Sequence, residues 1–180
     1  MNWYEKLNTY FPVNEMKSKL QLDMLMLEKD EHYVKDEGEY HIVMYAEFDT
    51  YIFIDFIWVS EKARGKGIGH QLMEKFKAKN KTIILEVEPI NEEEPDTEKR
   101  LRFYKREGFQ YAKPIDYQFQ SFISNELVKM EILYWTNSAT SEWAIYENMK
   151  EVYNEIHSYK VENIYGVTPK PVSEVLNFKN

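Results

Sequence analysis

Cysteine is absent from this chain of 180 residues. That absence excludes disulfides, thiolate metal ligands and any route through an acetylated cysteine. No apolar run is long enough to span a bilayer, and no apolar leader opens the chain, so the expectation is a cytoplasmic protein with no membrane attachment. Positive charge is in deficit: 23 Lys and Arg stand against 31 Asp and Glu, a net −8. This balance argues against a nucleic-acid partner and suits a cationic amine substrate. Glycine is sparse, with six in all, yet Gly65, Gly67 and Gly69 fall within five residues. What is plentiful is apolar and aromatic material, 43% and 16% of the chain, enough for the core of one domain with an appendage. No internal repeat or low-complexity segment is present.

The stretch from Tyr51 to Phe76 is the most informative. Tyr51 to Val59 is β-branched and aromatic, broken only by Asp55, as in a strand covered on both faces. The turn Arg64-Gly65-Lys66-Gly67-Ile68-Gly69 follows. Then Ile68, Leu72 and Phe76 recur at four-residue spacing, which marks a helix with one buried side. A strand, a glycine turn and a helix start together make an anion site. Glycines let successive N–H groups converge, and the first N–H groups of a helix lack partners. The helix dipole adds partial positive charge there. Arg64 and Lys66 add full charge, so the turn is read as a phosphate or pyrophosphate site. Neither G-x-x-x-x-G-K-[ST] nor G-x-G-x-x-G occurs.

What does occur is R-x-x-G-x-G, formed by Arg64, Gly67 and Gly69 after a strand ending in Val59. It resembles motif A of the GNAT superfamily of N-acetyltransferases. Arg102-Phe103-Tyr104-Lys105-Arg106-Glu107-Gly108-Phe109 resembles the motif B of that family, with Gly108 where a helix ends in a left-handed residue. The resemblance covers residues 40 to 112. It implies an α/β fold with a mixed, mostly antiparallel sheet, splayed parallel central strands and flanking helices. It implies acetyl-coenzyme A as co-substrate, no metal, and direct attack by a primary amine of a small molecule, peptide or protein. By the motif match, Ile57, Trp58 and Val59 meet the acetyl and pantetheine groups, and Arg64, Gly65, Lys66, Gly67, Ile68, Gly69 and His70 line the pyrophosphate. Thr97 stands where the family often has an asparagine, which alters one cofactor contact. Tyr104 takes the place of the phenol that protonates the departing thiolate; read alone, it is equally a core tyrosine. The competing reading is a module that binds coenzyme A without turnover.

Asp55 is the sole charge in its strand, and an unpartnered carboxylate there would be costly to bury. It is either a base or substrate contact, or a group satisfied by a nearby donor. Glu86 and Glu88, on one face of the strand predicted at 82–88, are its rivals, with Glu47 behind them. His70 sits at a helix start, within reach of a phosphate. His32, His41 and His157 show no ligand spacing and are assigned structural or surface roles.

Elsewhere, residues 1–13 show no period, and Asn14 caps a helix reaching Lys29. Residues 30–39 read as a loop, and Tyr40 to Phe48 forms a hairpin with the central strand. An acidic loop at 89–96 leads to the motif B helix, capped by Asp96 or Thr97. Phe109 to Lys113 is a short strand, 114–126 an aromatic loop or irregular strand, and Leu127 to Trp135 a further strand. The domain is expected to span 1–135, with a helical extension and irregular tail over 136–180. That helix, with Trp143, Tyr146, Met149, Tyr153 and Ile156 on one side, packs on its own sheet or on a second copy; in the first case Trp143 or Tyr146 touches substrate. The chain is accordingly a monomer or a homodimer.

Overall fold

The computed structural model describes residues 1–180. Helices α1 (Trp3–Tyr10) and α2 (Lys19–Glu28) precede strands β1 (Tyr33–Glu37), β2 (His41–Glu47) and β3 (Tyr51–Val59). Helix α3 (Ile68–Lys77), strand β4 (Thr82–Val87) and helix α4 (Pro95–Arg106) follow. Strands β5 (Gln110–Tyr111), β6 (Ile115–Gln120) and β7 (Leu127–Trp135) come next. The chain closes with α5 (Glu142–Val152), α6 (Val161–Tyr165), α7 (Val172–Val175) and β8 (Leu176–Phe178). The eight strands form one sheet in the order β1-β2-β3-β4-β7-β6-β8, with β5 also on β7. Only β3 and β4 are parallel. This is the mixed, mostly antiparallel α/β architecture expected, with helices on both faces.

Five elements differ from the sequence-based expectation. Helix α1 is present where no period was visible. Eight residues are too few to display one, but Asn2 and Glu5 form a capping box that fixes the start. Helix α2 is capped by Ser18 rather than Asn14, which lies in a single 3-10 turn and donates instead to Glu126 at 2.8 Å. Residues 33–37 are a strand and not a loop: β1 is an edge, where charged residues such as Lys35, Asp36 and Glu37 are tolerated and discourage further pairing. The tail contributes β8, which pairs with β6, itself a regular strand. Helix α4 also begins earlier than expected. Glu94 is its N-cap and Pro95 its first residue, while the Thr97 hydroxyl donates to the Glu94 carbonyl at 2.8 Å.

Two hydrophobic layers sandwich the sheet. Under α3 and α4 lie Ile52, Ile54, Leu72, Phe76, Leu101 and Tyr104. Under α1, α2 and α5 lie Leu7, Leu22, Phe53, Phe56, Ile145 and Ile156. Helix α5 continues through a π turn, Tyr153–His157, and adds Met149, Val152 and Tyr153 to the second layer. Burying these side chains contributes on the order of 10 kcal/mol, comparable with the whole net stability of a domain. A chain ending at Thr136 should therefore fail to fold. A soluble truncation with a cooperative melting transition would contradict this.

Candidate active site

Strand β3 ends at Val59, and a short 3-10 turn, Glu61–Ala63, carries the chain toward α3. Gly65 and Gly67 adopt φ of +79° and +75°, a region that side-chain-bearing residues avoid. Gly67 is the N-cap of α3, and no side chain caps that first turn, so its N–H groups remain open. Gly69 serves differently. It lies in α3, and a Cβ there would sit 3.0 Å from the Phe103 ring, so it sets how closely α3 and α4 approach.

The groove over this turn is lined by Ile57, Val59, Arg64, Gly65, Gly67, Ile68, Gly69 and His70, and by Lys99, Arg100, Phe103, Tyr104 and Arg106 from α4. Uncapped helix amides beside Arg64, Lys99, Arg100 and Arg106 suit a bound pyrophosphate. Three side chains named from the motif match lie elsewhere. Lys66 Nζ rests over the Tyr40 ring at 5.4 Å from its centroid. Trp58 faces the opposite layer, with Lys6 Nζ at 5.4 Å. Thr97 is buried, its hydroxyl engaged by Asn91 and Glu94. His70 borders the groove, with Nδ1 2.6 Å from Glu107 Oε1.

The parallel pairing of β3 with β4 stops at Ile54↔Leu85. Beyond it each strand keeps its outer neighbour: β3 stays on β2 to Val59, and β4 stays on β7 to Val87. A bulge accompanies the parting. Met44 pairs with Phe56 and Tyr45 with Ile54, leaving Asp55 as the extra residue. Asp55 and Phe56 consequently both face the layer under α1 and α2, which strict alternation forbids.

Below the parting lies a second cavity, lined by Glu15, Lys17, Asp55, Glu86, Glu88 and His157 among aromatic and apolar walls that include Phe11, Tyr117, Phe122 and Tyr165. Ile57, Arg100 and Tyr104 border both cavity and groove. Tyr104 is buried, and burial raises its pKa above the usual phenol value, so it stays protonated through the neutral range.

Asp55 is not free. Lys17 Nζ lies 2.8 and 2.9 Å from its two oxygens, and the Tyr33 hydroxyl donates at 2.7 Å. Lys17 Nζ also reaches His157 Nδ1 at 2.9 Å. An ammonium only donates, so Nδ1 accepts, and the ring proton sits on Nε2, 3.0 Å from Glu86 Oε2. Asp55, Glu86 and His157 converge closely enough to hold a cation. Their one-letter spacing gave no hint of it. In the fold, the Lys17 ammonium is the cation beside Asp55 and His157.

At the other end, burial and then the neighbouring Glu88 carboxylate push Glu15 up to about 9. Glu15, Lys17 and His157 were beyond sequence reasoning, because three distant segments bring them together. Trp143 and Tyr146 do not line the cavity; they pack on Phe178, with ring centroids 5.1 and 5.6 Å away. The last turn of the same helical segment reaches it instead, through Tyr153 and His157.

Comparison with known proteins identifies the family and the fold. Residues 24–111 match the acetyltransferase (GNAT) domain. A Bacillus subtilis (strain 168) protein, YjbC, provisionally named an acetyltransferase, is 53% identical over 176 residues, spanning 98% of this chain and 92% of that one. The chain belongs to the GNAT family of acetyltransferases. A Bacteroides thetaiotaomicron protein provisionally assigned to the GNAT family shares the fold with a TM-score of 0.64 at 20% identity, over 92% of this chain and 90% of that one. The ribosomal-protein-S18-alanine N-acetyltransferase of Escherichia coli gives 0.50 at 15% identity, over 77% and 85%. In this chain the groove at the glycine turn and the cavity below the parted strands share Ile57, Arg100 and Tyr104 as lining residues. No helix is long and apolar enough to cross a membrane.

Two outcomes follow from the buried charges. Lys17→Met leaves Asp55 charged and unpaired at 3% side-chain exposure, so stability should fall by about 3–5 kcal/mol. A chemical-denaturation midpoint equal to the parent's would contradict it. Glu15 holds its proton in the fold up to about pH 9, whereas the unfolded chain releases it near the ordinary 4.5. That contribution is complete below about 4.5 and is lost as pH rises toward 9. Glu15→Gln removes the loss, so its melting temperature should rise relative to the parent between pH 5 and pH 9. A constant difference across that range would refute the shift.

Proposed function

We propose that this GNAT protein transfers the acetyl group of acetyl-coenzyme A to a primary amine of a small molecule. One observation carries the reading: Ile57, Arg100 and Tyr104 border both the cationic groove and the carboxylate-lined cavity. A group carried in the groove and a nitrogen held in the cavity can therefore meet at these residues. The cavity lies under aromatic walls, which favours a compact acceptor over a folded protein surface.

The roles follow from position. The turn at Gly65 and Gly67, the open end of α3 and the cations Arg64, Lys99 and Arg106 hold the pyrophosphate. The backbone of Ile57, beyond the last β3–β4 pair, orients the acetyl carbonyl. Burial and the neighbouring Glu88 push the Glu15 carboxyl up, so Glu15 holds its proton at neutral pH. Glu88 accepts the proton of the incoming ammonium and so frees the nitrogen lone pair. The carbon–nitrogen bond then forms as the carbon–sulfur bond breaks, Tyr104 gives its proton to the departing sulfur, and the second proton lost by the nitrogen restores the phenol. Asp55 holds Lys17 in place, a positioning role and not the base that its isolation in the sequence suggested.

Tyr104→Phe tests the assignment. Its kcat should fall on the order of 10²-fold, with the KM for acetyl-coenzyme A changed little. A phenylalanine variant with the parent's turnover number would remove Tyr104 from the chemistry.

A further inference from the structure

Glu86 and Glu88 share one face of β4 and its extension, two residues apart, and both line the cavity. They keep different company. Glu88 belongs with Glu15, Arg100 and Tyr104, where the reaction is placed. Glu86 belongs with His157 and Tyr117 at the other end. The His157 tautomer imposed by Lys17 ties up one oxygen of Glu86. The other, Oε1, is buried and has no hydrogen-bond partner within 3.5 Å, the buried Tyr117 phenol being its neighbour, and the side chain is 11% exposed. An unpaired buried carboxylate oxygen is expensive.

The charges at this end do not cancel. Lys17 offsets Asp55, and His157 donates as a neutral ring, so the Glu86 charge has no partner. A ligand cation at Oε1 would supply both the missing donor and the missing charge. Side chains two residues apart on a strand are separated by about 7 Å, a gap that a four-carbon chain between two nitrogens bridges. The aromatic walls of the cavity, Phe11, Phe119 and Phe122 among them, suit methylene groups.

We infer that the acceptor is a short diamine: one nitrogen reacts beside Glu88 and Tyr104, and the second, still charged, docks on Glu86 Oε1. Glu86 is then a specificity residue, and His157, which aims it, is a positioning residue. This inference rests on the cavity being the acceptor site, as proposed above.

Calorimetric titration of 1,4-diaminobutane and of 1-aminobutane into the full chain saturated with coenzyme A is the test. The diamine should bind on the order of 30-fold more tightly or better. Glu86→Gln should collapse that ratio, and Glu86→Asp, which keeps the charge, should retain much of it. His157→Gln should weaken binding of the diamine by a larger factor than it weakens binding of 1-aminobutane. Equal affinity for the two amines in the parent, which requires no variant to fold, overturns the inference. So does a preference that survives Glu86→Gln. The two readings fail separately: a diamine preference without acetylation of either amine defeats the proposed reaction and leaves the docking site, whereas equal acetylation of both amines defeats the docking site and leaves the reaction.

Discussion

The parting of β3 from β4 after Ile54↔Leu85 is the constraint on which the rest of the site depends. Two parallel strands at the centre of a sheet would ordinarily exchange hydrogen bonds along their full length, because unpaired buried backbone groups are costly. Here each strand is held only on its outer side beyond that point. The sheet survives because β2 and β7 run alongside for the whole distance. The cost is met locally. The bulge at Asp55 turns the backbone, and the carboxylate so exposed is neutralised by Lys17 and Tyr33. Near this opening Ile57, Arg100 and Tyr104 line both the groove and the cavity.

The charges are distributed to match. On the side of α3 and α4, the open helix end and the cations of the turn and of α4 favour polyanions. On the side of α1, α2 and α5, the cavity carries four acidic side chains, Glu15, Asp55, Glu86 and Glu88, and its Lys17 is held by Asp55. Such a field draws oppositely charged partners to the groove and to the cavity. Tyr104 sits at the boundary, and the burial that keeps it protonated follows from its packing between Phe103 and Phe109.

Much of the groove was legible in the sequence because it is local. Arg64 through Gly69 are contiguous, and the strand before them and the helix after them carry their own periodicities. Gly67 is where the resemblance placed it, although Gly69 turns out to act through helix packing. The cavity was not legible, because it is assembled from residues 15–17, 55, 86–88 and 157, which no spacing relates. The Asp55 bulge reverses an alternation that the residue types alone would enforce. Edge strands β1 and β8 escaped notice for a related reason: their pairing is decided by neighbours in space, and their residues are too polar or too few to declare it. Helix α1 was declared only by Asn2 and Glu5, a capping signal without a period.

In the proposed function the groove and the parted strands hold one ligand along a single line. Amide hydrogen exchange with and without coenzyme A tests this most directly. Exchange should slow in two places at once, the α3 start from Gly67 to His70 and the free end of β3 around Ile57, with β1 and α5 unchanged. Protection confined to any other surface, or no protection at saturating coenzyme A, would contradict it.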